Sequence, residues 1–330
     1  MKNGFRKKRN KLWCTGGLLS VAAFGLAACG GAEEDNETIV FAEPEWESIW
    51  FHNSVAQIIA EEGYGYATET QTGSSPATLQ GLRDGDIDVY LETWIENMQE
   101  PYQEGMDAGE IVELSTNFDD NEQGLYVPTF VIEGDEEEGI EPMAPDLESV
   151  GDLEEHWEVF EDPDEDGIGR IYGSPPGYEA ETIVDDMYEE AGLNDNYNLF
   201  SPGSEAALNT SLLTAYEDGE PWIGYNWEPT WIIGLLDMTL LEEEDPDDPF
   251  FPSQPVTVTA NTEFAENDDE FVAFLEQYET SSDITGEALY YMEENDADEW
   301  EAAEWFLEEY EDLWTEWVPE DVAEDVLASL

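Results

Sequence analysis

The chain has 330 residues, with 84 aspartates and glutamates against eight lysines and arginines, a formal charge of −76. A polyanion of this density excludes nucleic acid and anionic membrane surfaces as partners, because both need Lys and Arg to neutralise phosphate. High net charge is also a mark of disorder, but 41% hydrophobic and 12% aromatic residues supply the apolar surface that disordered chains lack, so a packed fold is expected.

Six of the basic residues, Lys2, Arg6, Lys7, Lys8, Arg9 and Lys11, precede an uncharged apolar run from Leu12 to Ala28. That order reads as a signal peptide over 1–28, too short and wrongly flanked for a spanning helix. It ends in Leu26-Ala27-Ala28-Cys29, which resembles the lipobox of bacterial lipoproteins, so Cys29 is the expected lipidation site and 29–37 an acidic tether. The body is then expected at the outer face of the cytoplasmic membrane or in the periplasm, held to the membrane by lipid alone. Cys14 leaves with the signal, so no disulfide is expected despite an oxidising compartment. Beyond Cys29, Arg83 and Arg170 face all 84 acids, a formal −82. Such self-repulsion is tolerable where salt shortens the Debye length to about 3 Å at 1 M, and the composition points to a high-salt habitat.

The fold opens with a strand-like Thr38-Ile39-Val40-Phe41, a loop containing Trp46, and a helix-like Ile49 to Glu61 with Val55, Ile58 and Ile59 at helical spacing. A strand near Tyr64 to Thr70, a helix from Ser75 to Arg83 and the strand Ile87 to Leu91 follow. This alternation predicts an α/β unit around a parallel sheet. A second α/β passage, about Ile140 to Leu241, carries strands at Gly169 to Tyr172 and Pro221 to Tyr225 and helices at Glu179 to Glu190 and Glu205 to Tyr216. Tyr126 to Ile132 and Val256 to Ala260 bracket this block as candidate hinge crossings. The expected organisation is therefore two lobes, 38–130 plus 256–330 and 131–255, joined by a two-crossing hinge with a ligand cleft between them.

Three aromatics sit just after strand-like stretches: Trp94 in Leu91-Glu92-Thr93-Trp94, Tyr178 in Ser174-Pro175-Pro176-Gly177-Tyr178, and Trp227 in Tyr225-Asn226-Trp227-Glu228-Pro229-Thr230-Trp231. In an open α/β sheet, ligands bind at the carboxyl ends of the strands, so these rings are placed to line a cleft. Tryptophan also packs cores, and the residues taken singly leave both roles open. Together, the stretch from about Gly81 to Leu241 resembles the glycine betaine/proline betaine-binding family of ABC importers, through the Pro-Gly-aromatic loop and the Trp-x-Pro-x-Trp segment. The resemblance implies a type II periplasmic-binding-protein fold, no catalysis, a small quaternary-ammonium ligand with glycine betaine foremost, and an ABC permease with its ATPase as partner. It makes Trp94, Tyr178 and Trp227 the walls of an aromatic cage, and a weaker similarity over Thr38 to Arg83 adds Trp46. It also assigns the ligand's carboxylate to the backbone N–H groups of Glu179 and Ala180. Where many relatives have flanking cysteines this chain has Ser174 and Ala180; Tyr178 replaces a commoner Trp, and Met98 stands where some have His. Choline, carnitine, proline or an ectoine-like solute remain alternative cargoes.

Other chemistry is thin. No triad motif, phosphate loop, dinucleotide fingerprint or zinc spacing accompanies the two histidines, His52 and His156, so a surface-anchored hydrolase is the weaker reading and no cofactor is expected. Asp162-Pro163-Asp164-Glu165-Asp166-Gly167 imitates the start of a calcium loop, but position twelve is Gly173 and position two is proline, so an acidic surface turn is expected rather than a metal site. The C-terminal set Trp305, Phe306, Tyr310, Trp314 and Trp317 has the spacing of one buried helix face. From the charge balance, the purified protein should lose compactness as salt falls from molar to low millimolar concentration; circular dichroism that stays constant over that range would contradict it.

Overall fold

The computed structural model describes residues 38–330 apart from 244, 246 and 248; the expected signal peptide, Cys29 and the tether lie outside these residues. β1 (Thr38–Glu43), α1 (Glu47–Ile58), β2 (Ala67–Thr72), α2 (Ser75–Asp84) and β3 (Val89–Trp94) succeed one another as the hydrophobic pattern predicts. α1 runs on through a wide π turn over Ile59–Tyr64 that stops at Gly65, whose φ of +77° suits glycine. The overrun moves the start of β2 from the expected Tyr64 to Ala67. β2 and β3 lie parallel on either side of β1.

After β4 (Ile111–Phe118) the chain passes into a second sheet made of β5 (Gln123–Pro128), β6 (Gly169–Tyr172), β7 (Tyr197–Phe200), β8 (Gly224–Trp227) and β9 (Met238–Leu240). Helices α3 (Ala180–Glu190) and α4 (Glu205–Asp218) follow β6 and β7. β10 (Val256–Asn261) returns to the first sheet and inserts antiparallel between β3 and β4, giving the order β2-β1-β3-β10-β4 beside β7-β6-β8-β5-β9. Every residue of β10 is buried, and its Thr257 and Thr259 hydroxyls lie 3.2 Å apart in hydrogen-bond contact. A central strand that arrives only after the second sheet is complete ties the two lobes into one fold.

The first hinge crossing differs from expectation. Tyr126 to Ile132 is not the crossing: β5 already pairs with β8 and β9, and Thr129–Glu133 is a short helix. Proline at position 128 has no N–H to continue a ladder, and the apolar run after it turns helical despite its strand-like composition. The crossings lie at 119–122 and just before β10, so the lobe bound expected at 130 falls earlier, and Asn121 Nδ2 donates to the carbonyl of Gln254 at 2.7 Å between them.

Of the C-terminal aromatics, Phe306, Trp314 and Trp317 are core while Trp305 and Tyr310 are half-buried against it, and they do not share one helix face. α5 (Glu299–Glu309) ends before Tyr310, and Trp314 closes the separate short helix α6 (Glu311–Trp314). Phe306 and Trp314 are wholly buried and Trp317 nearly so; Phe306 meets Phe51 of α1 edge to face at 5.5 Å and stacks on Trp317 at 6.2 Å. His52 lies in the same layer, its Nδ1 2.9 Å from the Tyr278 hydroxyl, and burial pushes its titration down to about 3. It is a neutral core histidine. His156 ends a four-residue helix and is half-buried.

The calcium-like turn is held by a built-in cation. Arg170 grips Asp162 through Nε at 3.1 Å and Nη2 at 2.8 Å, and its Nη2 also donates to Asp164 at 2.6 Å. The Asp162 side chain is fully buried and that of Arg170 is 9% exposed. Arg83 is tied to Glu110 at 2.8 Å, a carboxylate 40% exposed. Removing one partner of a buried pair strands the other charge, whereas an exposed pair contributes little. Arg170→Met is therefore expected to lower the unfolding free energy by about 3 kcal/mol and Arg83→Met by about 1 kcal/mol or less, read from urea titrations at one fixed molar salt concentration.

Candidate ligand site

Four aromatic residues follow the carboxyl ends of parallel-paired strands. Trp46 lies in the loop after β1, Trp94 closes β3, Tyr178 lies in the loop after β6 and Trp227 closes β8. The two lobes bring these ends face to face, and all four rings line one cavity, together with Glu179 and Ala180 at the start of α3. Tyr178 is the joint. Its ring meets Trp46 of the first lobe at 5.3 Å and Trp227 of the second at 5.6 Å, both edge to face. Tyr225 stacks behind Trp227 at 5.6 Å, and Phe118 sits edge-on to Trp94 at 6.0 Å. Gly177, at φ +92°, gives the Pro-Pro-Gly loop the turn that aims Tyr178 across the cleft.

Ser75, Asn97, Met98, Gln123 and Tyr225 complete the lining, and no Lys or Arg belongs to it. Of these, Tyr225 was readable from Trp227, since two residues back along a strand is the same face. Ser75 and Gln123 had no comparable signal, because their position depends on the lobes meeting. Asn97 and Gln123 pair their amides reciprocally at 2.9 and 3.3 Å, Gln254 Nε2 donates to Asn97 at 3.0 Å, and the Tyr225 hydroxyl donates to Gln123 at 3.0 Å. The polar floor of the cavity is thus fastened to both hinge crossings.

The lobes also exchange hydrogen bonds around the rings. The Tyr178 hydroxyl donates to the carbonyl of Glu45, the N–H of Ser75 donates to the carbonyl of Gly177 at 3.1 Å, and the N–H of Glu47 donates to Glu205 Oε2 at 3.0 Å. The last bond caps the N-terminus of α1, in one lobe, with a side chain from the other. Burial and the nearby Glu47 and Glu92 carboxylates hold Glu205 well above the usual carboxylate range. Burial raises Glu179 as well. The N–H groups of Glu179 and Ala180, where α3 begins, meet no acceptor among the described residues. The cavity leaves about 30 Å³ for water-sized occupants, enough for two or three at roughly 10–15 Å³ each. A larger guest must part the rings that now pack on one another.

A family model described as the substrate-binding domain of the ABC-type glycine betaine transport system matches residues 37–309. The chain belongs to this family. It is a substrate-binding protein and not an enzyme. The trimethylamine N-oxide-binding protein of Pelagibacter ubique is 24% identical over 218 residues, which span 66% of each chain, about two thirds of that relative. In structure, the chain is similar to the glycine/betaine/L-proline-binding protein of Borrelia burgdorferi, with a TM-score of 0.74, 19% identity and coverage of 88% of this chain and 100% of that one. It is also similar to a choline-binding protein in complex with choline, with a TM-score of 0.72, 20% identity and coverage of 88% and 97%. These likenesses give the two-lobed architecture as the type II periplasmic-binding-protein fold.

Two lobes joined by paired crossings can open and close by hinge bending, and parting them would break the inter-lobe bonds described above. Tyr178→Phe keeps the ring and removes one of them. It is expected to shift the open–closed balance toward open by about 1 kcal/mol, roughly fivefold, read as a larger radius of gyration by small-angle scattering at fixed salt; an unchanged radius would show that the hydroxyl does not hold the lobes together.

Proposed function

We propose that this chain is the extracytoplasmic, lipid-anchored substrate-binding protein of an ABC importer, and that its cargo is a quaternary-ammonium osmolyte, glycine betaine foremost. The observation that carries the reading is the convergence of Trp46, Trp94, Tyr178 and Trp227 on one cavity without a cationic side chain in its lining. A trimethylammonium group has no N–H to donate, so hydrogen-bond acceptors cannot satisfy it. Aromatic faces can, each contributing about 0.5–2 kcal/mol when desolvated. The free N–H groups of Glu179 and Ala180 at the start of α3 suit a carboxylate at the other end of the ligand. Trp94 and Trp46 act from the first lobe and Tyr178 and Trp227 from the second, so closure completes the cage.

The remaining parts of the reading follow from the sequence. Acylation of Cys29 would keep the protein at the membrane where a permease works, and the closed form would dock there and release the solute inward, with a separate ATPase supplying the energy. An osmolyte suits a protein whose composition points to high salt. A second reading keeps the cage and changes the cargo to a cation without a carboxylate, such as choline. It is favoured by the Glu179 side chain, which places a carboxyl group in the same turn as the two free N–H groups.

Titration of glycine betaine into the purified protein at molar salt, followed by tryptophan fluorescence and calorimetry, tests the reading. Saturable binding is expected, and Trp227→Ala should weaken it by roughly thirtyfold, the equivalent of about 2 kcal/mol. A folded protein that binds neither betaine, choline nor carnitine would overturn the assigned cargo class.

A further inference from the structure

Behind the first-lobe wall of the cage lies a carboxylate that the binding reading does not use. Glu92 is 0% exposed and stands two residues before Trp94 on β3, on the same face of the strand. Its Oε1 accepts from Trp94 Nε1 at 3.1 Å and from the Ser48 hydroxyl at 2.9 Å. Its Oε2 has no partner, and neither has the buried Nε1 of Trp46, although the Trp46 N–H acts on the Glu92 carboxyl and favours its ionised form. One carboxylate therefore lies against the N–H edges of both first-lobe cage tryptophans. A buried acid with a spare oxygen is a costly arrangement that packing alone does not call for.

An indole whose N–H points at an anion has a more electron-rich face, and in a desolvated site that face attracts a cation more strongly. We propose that Glu92 is the charge-selecting residue of the cage, making the Trp94 and Trp46 faces discriminate a quaternary ammonium ion from a neutral group of the same shape. The proposal rests on the quaternary-ammonium reading above and adds to it which residue supplies the selection.

The electrostatic surroundings fit this role. Burial pushes Glu92 up to about 7, against the nearby Trp46 N–H and the hydrogen bonds from Ser48 and Trp94, which pull it down. The titratable groups interacting with it are Tyr90 on its own strand, Tyr278 beside His52, and Glu205 and Tyr178 from the second lobe. None of these is a cation, and neither arginine acts on Glu92. Glu205 is likewise held well above the usual carboxylate range, by burial and by the nearby Glu47 and Glu92 carboxylates, but Glu92 is the carboxyl in hydrogen-bond contact with a cage indole. A cation entering the cage favours the ionised form and so lowers its pKa. Binding then releases a proton, and affinity for a cation rises with pH through neutrality and levels off above it.

The test compares choline with its uncharged isostere 3,3-dimethyl-1-butanol on the wild-type protein and on Glu92→Gln, by calorimetry at molar salt. Glutamine can still accept from Trp94 and Ser48, so the rings keep their support. The expected result is that the preference for choline over the isostere falls by about 3- to 30-fold in the variant, with the affinity for the isostere itself unchanged. Proton release, read by repeating the titration in buffers of different ionisation enthalpy, should disappear with it. An unchanged preference, or both ligands losing affinity together, would overturn the proposal and leave Glu92 as a prop for the rings. Wild-type protein that binds choline with no preference over the isostere also overturns it, while wild-type protein that binds no quaternary ammonium ligand at all removes the cage reading and this proposal together. Should the variant not fold, the wild-type preference must rise between about pH 6 and 8, and a flat profile decides against Glu92.

Discussion

The rings of this site are divided between two lobes, so the box they form exists only while the lobes touch, and most of the other arrangements serve that contact. Trp46 and Trp94 are carried by one sheet and Tyr178 and Trp227 by the other. No rearrangement within a single lobe can assemble them. The hinge is stiffened where it must be, with the Asn97, Gln123 and Gln254 amides binding the two crossings to the cavity floor. Where the lobes meet around the rings, the direct bonds from Tyr178, Ser75 and Glu47 are few. Such contacts, worth about 1 kcal/mol each, can be exchanged for contacts with a guest without unfolding anything.

Closure of this kind is opposed by charge. The N-terminus of α1 must accept Glu205 beside Glu47, in a chain whose charged residues are almost all acidic. The conflict is resolved locally by the positive end of the helix, whose N–H groups need acceptors in any case, and by burial that favours the protonated carboxyl. Farther out, molar salt would resolve it, because charges several ångströms apart on the surface then no longer interact appreciably. The two arginines are not spent on countering the net charge. Arg170 closes a turn that would otherwise bring Asp162 and Asp164 together, and Arg83 joins α2 to the start of β4 through Glu110.

Much of this was legible in the sequence. Alternation of apolar strands and amphipathic helices gave the two α/β units, and rings at strand exits marked the cleft, because a strand's carboxyl end is a position the chain order defines. What was not legible depends on contacts between distant segments. Thr129–Glu133 has strand-like residues and is helical because Pro128 ends the ladder and the crossing has already been made. Ser75 reaches the cavity through the meeting of α2 with the loop before Tyr178. The acidic turn at 162–167 reads as an ion site until Arg170, three residues beyond the run, is seen folded back into it.

Glu92 shows why composition alone misleads in such a chain. Among 84 acids a single glutamate carries no information by its identity, and at molar salt the exposed carboxylates contribute little field beyond their own hydration shells. A carboxylate sealed behind two indoles is different in kind. No ions reach it, so its interaction with a charge in the cavity is not screened in the way the surface charges are. The acids that give the protein its overall charge act on solubility and hydration. On the proposed reading, selectivity for a cation comes from the few groups that salt cannot screen, the ring faces and the carboxylate held against their edges.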